Sequence, residues 1–187
     1  MISPEDVAAF EECISSGGIA VFPTDTLYGI GCRPDDEAAV ARLYELKGRP
    51  ADKPSAVMLF SMDVLPPVGP RTRVALERLL PGPLLAVLPG GVGVRVPDIP
   101  ALAGVKVPVL QTSANLSGGP DPRRLADVPE PIRAGSDLVL DGGELPGVPS
   151  TVVDLSSYEE TGEWSVLRAG AVSHDRLASE LTRDMRG

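Results

Sequence analysis

The chain predicts an α/β fold of the α+β type, a mixed β-sheet covered by helices. Three observations carry this. Segments with helical apolar spacing alternate with short apolar runs of strand character. The strand-like runs are apolar on both faces, as in a sheet buried from two sides. Several of them follow one another directly, so the order is no clean βαβ series and the sheet is expected to be mixed.

Each element has a local reason. Residues 3–15 read as a helix: Ser3 caps it, Pro4 suits its first turn, Asp6 completes a capping-box pattern, and Val7, Phe10 and Ile14 share a face. Gly17-Gly18 ends it, and IAVF (19–22) is a strand leading into PTDTLYGIG. Asp35 or Asp36 caps a second helix through Leu46, with Val40, Leu43 and Tyr44 inward and Gly48 as its stop. SAVMLF (55–60) is a strand, and RVALERLL (73–80) a helix halted by Pro81-Gly82-Pro83. Strands follow at LLAVL (84–88), GVRV (93–96) and VPVLQT (107–112), with a short helix between the last two. DLVL (137–140), STVVDL (150–155) and WSVLR (164–168) complete the strands, and Ser173 caps a closing helix to about Met185.

At 187 residues, one domain is expected. Its hydrophobic fraction of 43% fits a packed core. No run reaches the length of a membrane span, and the acidic start MISPEDVAAFEEC is unlike a secretory signal. Two cysteines, Cys13 and Cys32, without a CxxC pair, argue against a disulfide framework or zinc site and point to a reducing cytoplasm. A net charge of −9 and a pI near 4.6 disfavour general nucleic-acid binding.

Four polar, glycine-rich segments interrupt the apolar pattern at strand ends: PTDTLYG (23–29), KGRPADK (47–53), TSANLSGG (112–119) and VLRAG (166–170). They hold hydroxyls, one amide and four cations, Lys47, Arg49, Lys53 and Arg168, with no histidine and no clustered carboxylates. A cation cluster in so acidic a chain points to a local anion site, with phosphate foremost. Each segment also has a bland reading. Lys47 complements a helix dipole, Arg49 and Lys53 sit in a solvated turn, Ser113 and Asn115 form a side-chain turn, and Thr24 and Thr26 cap a loop. No GxxxxGK[ST] is present, and GGVGVRV is followed by no helix pattern, so neither standard nucleotide fingerprint applies.

Residues 17–60 resemble the signature region of the YrdC family, the threonylcarbamoyl-AMP synthases. VRVP (94–97), TSANLSG (112–118), STVVDL (150–155) and VLRAG (166–170) follow in the family's order and approximate spacing. The paired elements Lys47-Gly48-Arg49 and Ser113-Ala114-Asn115 are specific in combination with PTDTLYG. The likeness runs from about residue 3 to about 180, matching a single YrdC-like domain over 1–187.

The resemblance implies a twisted, mixed, open sheet with a concave, positively lined face. It implies an enzyme of the nucleotidyltransferase type. Such an enzyme joins L-threonine, bicarbonate and ATP into threonylcarbamoyl-AMP and pyrophosphate, for the t6A modification at adenosine 37 of tRNA. A downstream threonylcarbamoyl-transferase complex takes the product, tRNA or double-stranded RNA is a candidate partner, and no membrane is involved. Lys47, Arg49 and Lys53 are then expected along the triphosphate, with Mg²⁺ assisting and no protein metal site, and Lys47 and Arg49 as the catalytic pair. Thr112, Ser113 and Asn115 would contact the nucleotide, and Arg168 would add a second phosphate contact. Thr24, Thr26 and Ser150 would hold threonine, with Arg95 as the partner of its carboxylate. No general base is evident, so proximity and electrostatics are expected to supply most of the rate.

Three departures bear on the site. Asp121 stands where relatives often carry a hydroxyl residue near phosphate, Gly91 replaces a common Thr, and Met58 stands where longer forms place a His. His174 reads as an exposed helix-start residue, Trp164 as packing at a sheet edge, and Arg71, Arg73 and Arg78 as a solvated helix face. The alternatives are an RNA-binding module of the same fold and a carbamoyl-adenylate enzyme acting on another substrate.

Overall fold

The computed structural model describes residues 2–50 and 55–182; Lys53, and the stretch in which the last helix was expected to reach Met185, lie outside these. The strands are β1 (Ala20–Pro23), β2 (Tyr28–Cys32), β3 (Ala56–Met58), β4 (Leu84–Leu88), β5 (Val92–Arg95), β6 (Val109–Ser113), β7 (Leu138–Val139), β8 (Thr151–Asp154) and β9 (Ser165–Arg168). They join one mixed sheet in the order β7-β1-β2-β6-β3-β5-β4-β8-β9. The pairs β1–β7, β3–β5 and β4–β8 are parallel and the other neighbours antiparallel. The mixed sheet follows from strands that succeed one another without a helix between them.

The helices are α1 (Pro4–Ser15), α2 (Glu37–Lys47), α3 (Pro70–Leu79), α4 (Glu130–Gly135), α5 (Tyr158–Thr161) and α6 (His174–Leu181). Ser3 and Asp6 form the expected capping box on α1, at 3.2 and 2.9 Å. Of the two candidate caps on α2, Asp36 is the one used, accepting from the Ala39 N–H at 3.0 Å, while Asp35 pairs with Arg33. Gly48 ends α2 at φ 57°, in the left-handed region that glycine adopts without strain.

Strand β2 is the element the sequence pattern hides, because Gly29 and Gly31 read as turn residues. The backbone packing explains them. A Cβ built at Gly31 would stand 2.3 Å from Val109 Cγ1 and 2.9 Å from the Leu110 carbonyl, so only glycine lets β2 lie against β6 there. Helices α4 and α5 were also unforeseen; with 6 and 4 residues they are too short to show apolar periodicity. Trp164 leads into the edge strand β9, half-buried, with its ring 5.2 Å from that of the exposed His174.

Three apolar clusters hold the sheet. Phe10 and Ile14 of α1 pack with Phe22, Met58, Phe60 and Val109 on one face. On the other, α2 and α4 cover Val21, Tyr28 and Ile30, while α3 and α6 cover Leu84, Ala86, Val94 and Val153. The expectation that every strand is covered on both faces therefore needs correction. Strands β1 and β2 are buried throughout, but β4 and β8 alternate between buried and half-buried residues and β9 is mostly exposed. No helix covers the front of that half of the sheet, and the concave site lies there.

Candidate functional site

The floor of the site follows from register. Gly31 pairs with Gln111, Gln111 with Ala56, Gly93 with Val87, Leu85 with Val152, and Val152 with Arg168. Paired residues share a face, so these side chains line one surface. Gly29, Gly31, Ala56 and Gly93 bring almost no side chain to its middle, and the sheet is hollow there; a Cβ at Gly93 would already touch Leu85 Cδ2 at 3.3 Å. The result is a cavity of about 530 Å³. Loops rising from the strand ends wall it, which is where sheet-based folds gather ligands.

One wall is the turn after β1. Arg95 of β5, only 5% exposed, donates from Nη2 to Thr26 Oγ1 at 2.8 Å and Thr24 Oγ1 at 3.3 Å, and pairs with Asp25. Burial pushes its pKa down and Asp25 partly restores it, so the acid answers a charge that would otherwise be costly at this depth. Asp25 was seen in the sequence only as the residue between two threonines. Among the described residues, Arg95 Nε has no hydrogen-bond partner, and neither does Ser150 Oγ, although both residues are buried and both line the cavity. Both atoms are thereby left to meet a group that enters the cavity.

The second wall is the loop after β6. Ser113 Oγ lies 2.7 Å from Asn115 Oδ1, and Asn115 Nδ2 donates to the Gly119 carbonyl at 2.7 Å. Lys47 sits beneath this loop, 2% exposed. Its ammonium donates to the Ser113 carbonyl, to the Asn115 carbonyl at 2.6 Å and to Asn115 Oδ1 at 3.2 Å, while its own carbonyl accepts from the Ser117 N–H at 2.9 Å. All three ammonium hydrogens are thus engaged by the loop. Burial pulls the Lys47 pKa down to about 8; the neighbouring Arg49 lowers it further and Asp121 opposes.

The other predicted residues are distributed as follows. Arg49, Thr112, Ser113, Ser150 and Arg168 line the cavity with Thr24, Thr26 and Arg95. Arg49 stands with its guanidinium carbon 6.0 Å from the Tyr44 ring centroid, and Arg168 donates to the Ser150 carbonyl at 2.8 Å. Lys47 and Asn115 are buried just behind the wall, and Lys53 lies outside the described residues. Asp121 and Gly91 line the cavity, whereas Met58 is packed in the α1 core and is not among the residues that line it. Gln111 was missed. It lay inside a segment read only as strand, though a long polar side chain among apolar strand neighbours was the available signal. Among the described residues no group of three or more His, Cys, Asp or Glu is placed to hold a metal ion. No described helix is long and apolar enough to cross a membrane.

Comparison with known proteins bears on this geometry. The model of the Sua5, YciO and YrdC proteins, described as "Telomere recombination", matches residues 12–170. The chain belongs to this family. A threonylcarbamoyl-AMP synthase of Pyrococcus abyssi is 37% identical, over 78% of this chain and 49% of its own length. One of Xanthomonas campestris is 33% identical, over 73% of this chain and 86% of its own. The crystal structure of P. abyssi Sua5 complexed with L-threonine superposes with a TM-score of 0.84 at 32% identity, covering 96% of this chain and 58% of that one. The chain spans about half the length of the P. abyssi relative, and the YrdC-type mixed sheet is common to both.

Proposed function

We propose that the chain is a threonylcarbamoyl-AMP synthase, an adenylyl-transferring enzyme that makes threonylcarbamoyl-AMP and pyrophosphate from L-threonine, bicarbonate and ATP. One observation carries the reading. A single cavity combines the cations Arg49 and Arg168 with two buried groups that have no partner among the described residues, Arg95 Nε and Ser150 Oγ. Threonine in complex with the P. abyssi relative, and the names of the relatives, support the choice of substrate.

Arg49 and Arg168 hold phosphate oxygens, and Ser113 and Thr112 add hydroxyl contacts. Lys47 contributes its charge from beneath the loop and fixes the loop's shape. Arg95 meets the threonine carboxylate through its unspent Nε, and Ser150 Oγ contacts the same molecule; Thr24 and Thr26 hold Arg95 in place. With the substrates aligned, the threonine amine nitrogen bonds to the bicarbonate carbon as a C–O bond breaks and water leaves. An oxygen of the carbamate so formed attacks the α-phosphorus. A new P–O bond forms there as the bond to the bridging oxygen breaks, and the electron pair leaves with pyrophosphate. The cations stabilise the charge that develops on the leaving group. The donors at the cavity, hydroxyls and the Asp121 carboxylate, are hard oxygens that fit Mg²⁺ carried in on the phosphates. Bound there, Mg²⁺ would supply further charge neutralisation. The product would pass to a threonylcarbamoyl-transferase complex in the cytoplasm for modification of tRNA.

The test is pyrophosphate release from ATP with threonine and bicarbonate supplied together and each omitted in turn. Release that needs both is the expected result. Retention of structured RNA with no such release would favour a binding module instead.

A further inference from the structure

Arg49, which faces the cavity, is held from behind by a residue outside it. Tyr44 lies in the last turn of α2, half-buried, packed against the cluster that contains Leu43 and Ile30. Gly48, in the left-handed conformation, turns the chain back there, and the Arg49 N–H donates to the Tyr44 carbonyl at 2.9 Å. Arg49 is thereby returned to the end of its own helix, where its guanidinium carbon stands 6.0 Å from the Tyr44 ring centroid. The far end of the ring is held as well: the Tyr44 hydroxyl donates to Ser55 Oγ at 3.0 Å. Arg49 and Ser55 both line the cavity, whereas Tyr44 is not among the residues that line it.

Each contact has a physical use. A guanidinium within about 6 Å of an aromatic centroid is attracted by the negative face of the ring. An arginine loses rotamer freedom when it grips phosphate, and one already laid against a ring has less to lose. The hydrogen bond to Ser55 fixes how the ring is turned. Packing in the α2 cluster accounts for the buried side of Tyr44 but for neither of these contacts. We infer that Tyr44 is a positioning residue: its ring face preorganises Arg49 for the triphosphate, and its hydroxyl fixes the ring through Ser55. The inference rests on the phosphate reading of the cavity given above.

The experiment weakens the negative face of the ring at nearly constant size. Phenylalanine and its mono-, di- and trifluoro derivatives are placed at position 44, in the otherwise native chain and in one carrying Arg49→Ala. Binding of ATP and of inorganic triphosphate is measured by calorimetry. Affinity for both is expected to fall step by step with fluorine number, by about 10-fold overall, and KM for ATP to rise in parallel while KM for threonine is unchanged. With Arg49→Ala the series should be flat. Tyr44→Phe alone should cost about 2- to 5-fold, through the lost bond to Ser55. A flat series with Arg49 present, or the same slope without it, overturns the inference and leaves the phosphate reading standing. A wild type that binds neither ATP nor triphosphate removes both together. Binding without pyrophosphate release would end the synthase reading, and the slope would still decide on Tyr44. Should a fluorinated chain fail to fold, Tyr44→Trp and Tyr44→Leu carry the same contrast, with affinity kept by the first and lost by the second; equal affinity in the two overturns the inference.

Discussion

Replacing Lys47 by methionine tests the arrangement beneath the phosphate-side loop. The substitution keeps the side chain's length and removes its charge and donors. Two backbone carbonyls, those of Ser113 and Asn115, lose the ammonium, while Asn115 Oδ1 keeps Ser113 Oγ at 2.7 Å. An orphaned buried carbonyl costs about 1–3 kcal/mol, so the pair costs about 2–6 kcal/mol. Against this, burial holds the Lys47 pKa at about 8, down from 10.5. Each unit is worth about 1.4 kcal/mol, so the charged ammonium carries a penalty of about 3 kcal/mol that methionine does not. The difference leaves a loss of at most about 3 kcal/mol, which a domain of ordinary stability survives. The loop fares worse, because the ammonium holds two of its carbonyls at once. Amide exchange at Asn115, Ser117 and Gly119 should accelerate, and pyrophosphate release should fall on the order of 100-fold. Thermal unfolding, hydrogen exchange and turnover measured on one preparation separate these effects. Global unfolding of the variant, or full turnover with an unaltered exchange pattern, would refute the reasoning.

Other predictions concern charge, pH and packing. Arg49→Ala should lower kcat/KM by roughly 100-fold while the unfolding temperature shifts by no more than about 4 °C, as checked by turnover and calorimetry. The folded pKa of Lys47 lies below its unfolded value, so between about pH 8 and 10.5 the unfolded chain binds more protons and the Lys47 contribution to stability rises with pH. The stability of the wild type relative to Lys47→Met, from denaturant titrations, should therefore grow by up to about 3 kcal/mol across that window, while turnover of the wild type declines above pH 8. Burial pushes the Cys32 thiol up to about 12, so its contribution is complete below the unfolded thiol range and lost as pH climbs toward 12; Cys32→Ala should flatten the alkaline limb of the stability curve. Gly31→Ala sets a Cβ against Val109 and the Leu110 carbonyl, and should cost about 1–3 kcal/mol or more in chemical denaturation.

What could be read from the sequence was what local chemistry determines. The caps at Ser3 and Asp36, the stop at Gly48 and the apolar strands depend on residues close in the chain, and they appear where expected. Strand β2 was hidden because its glycines answer to β6, about eighty residues away, and nothing local distinguishes a packing glycine from a turn glycine. The site divides in the same way. Arg49, Thr112, Ser113 and Arg168 were found as polar breaks at strand ends and Ser150 through the family resemblance, and all five line one cavity. The ion pair of Arg95 with Asp25, and the engagement of every Lys47 donor by the loop after β6, depend on contacts between segments that only the fold brings together.

A structure of the protein with a non-hydrolysable ATP analogue and L-threonine tests the central claim most directly. The triphosphate is predicted to lie against Arg49, Arg168 and Ser113, with the amino acid beside Arg95 and Ser150 in the same cavity. Nucleotide bound on another surface, or threonine seated away from Arg95, would contradict the account.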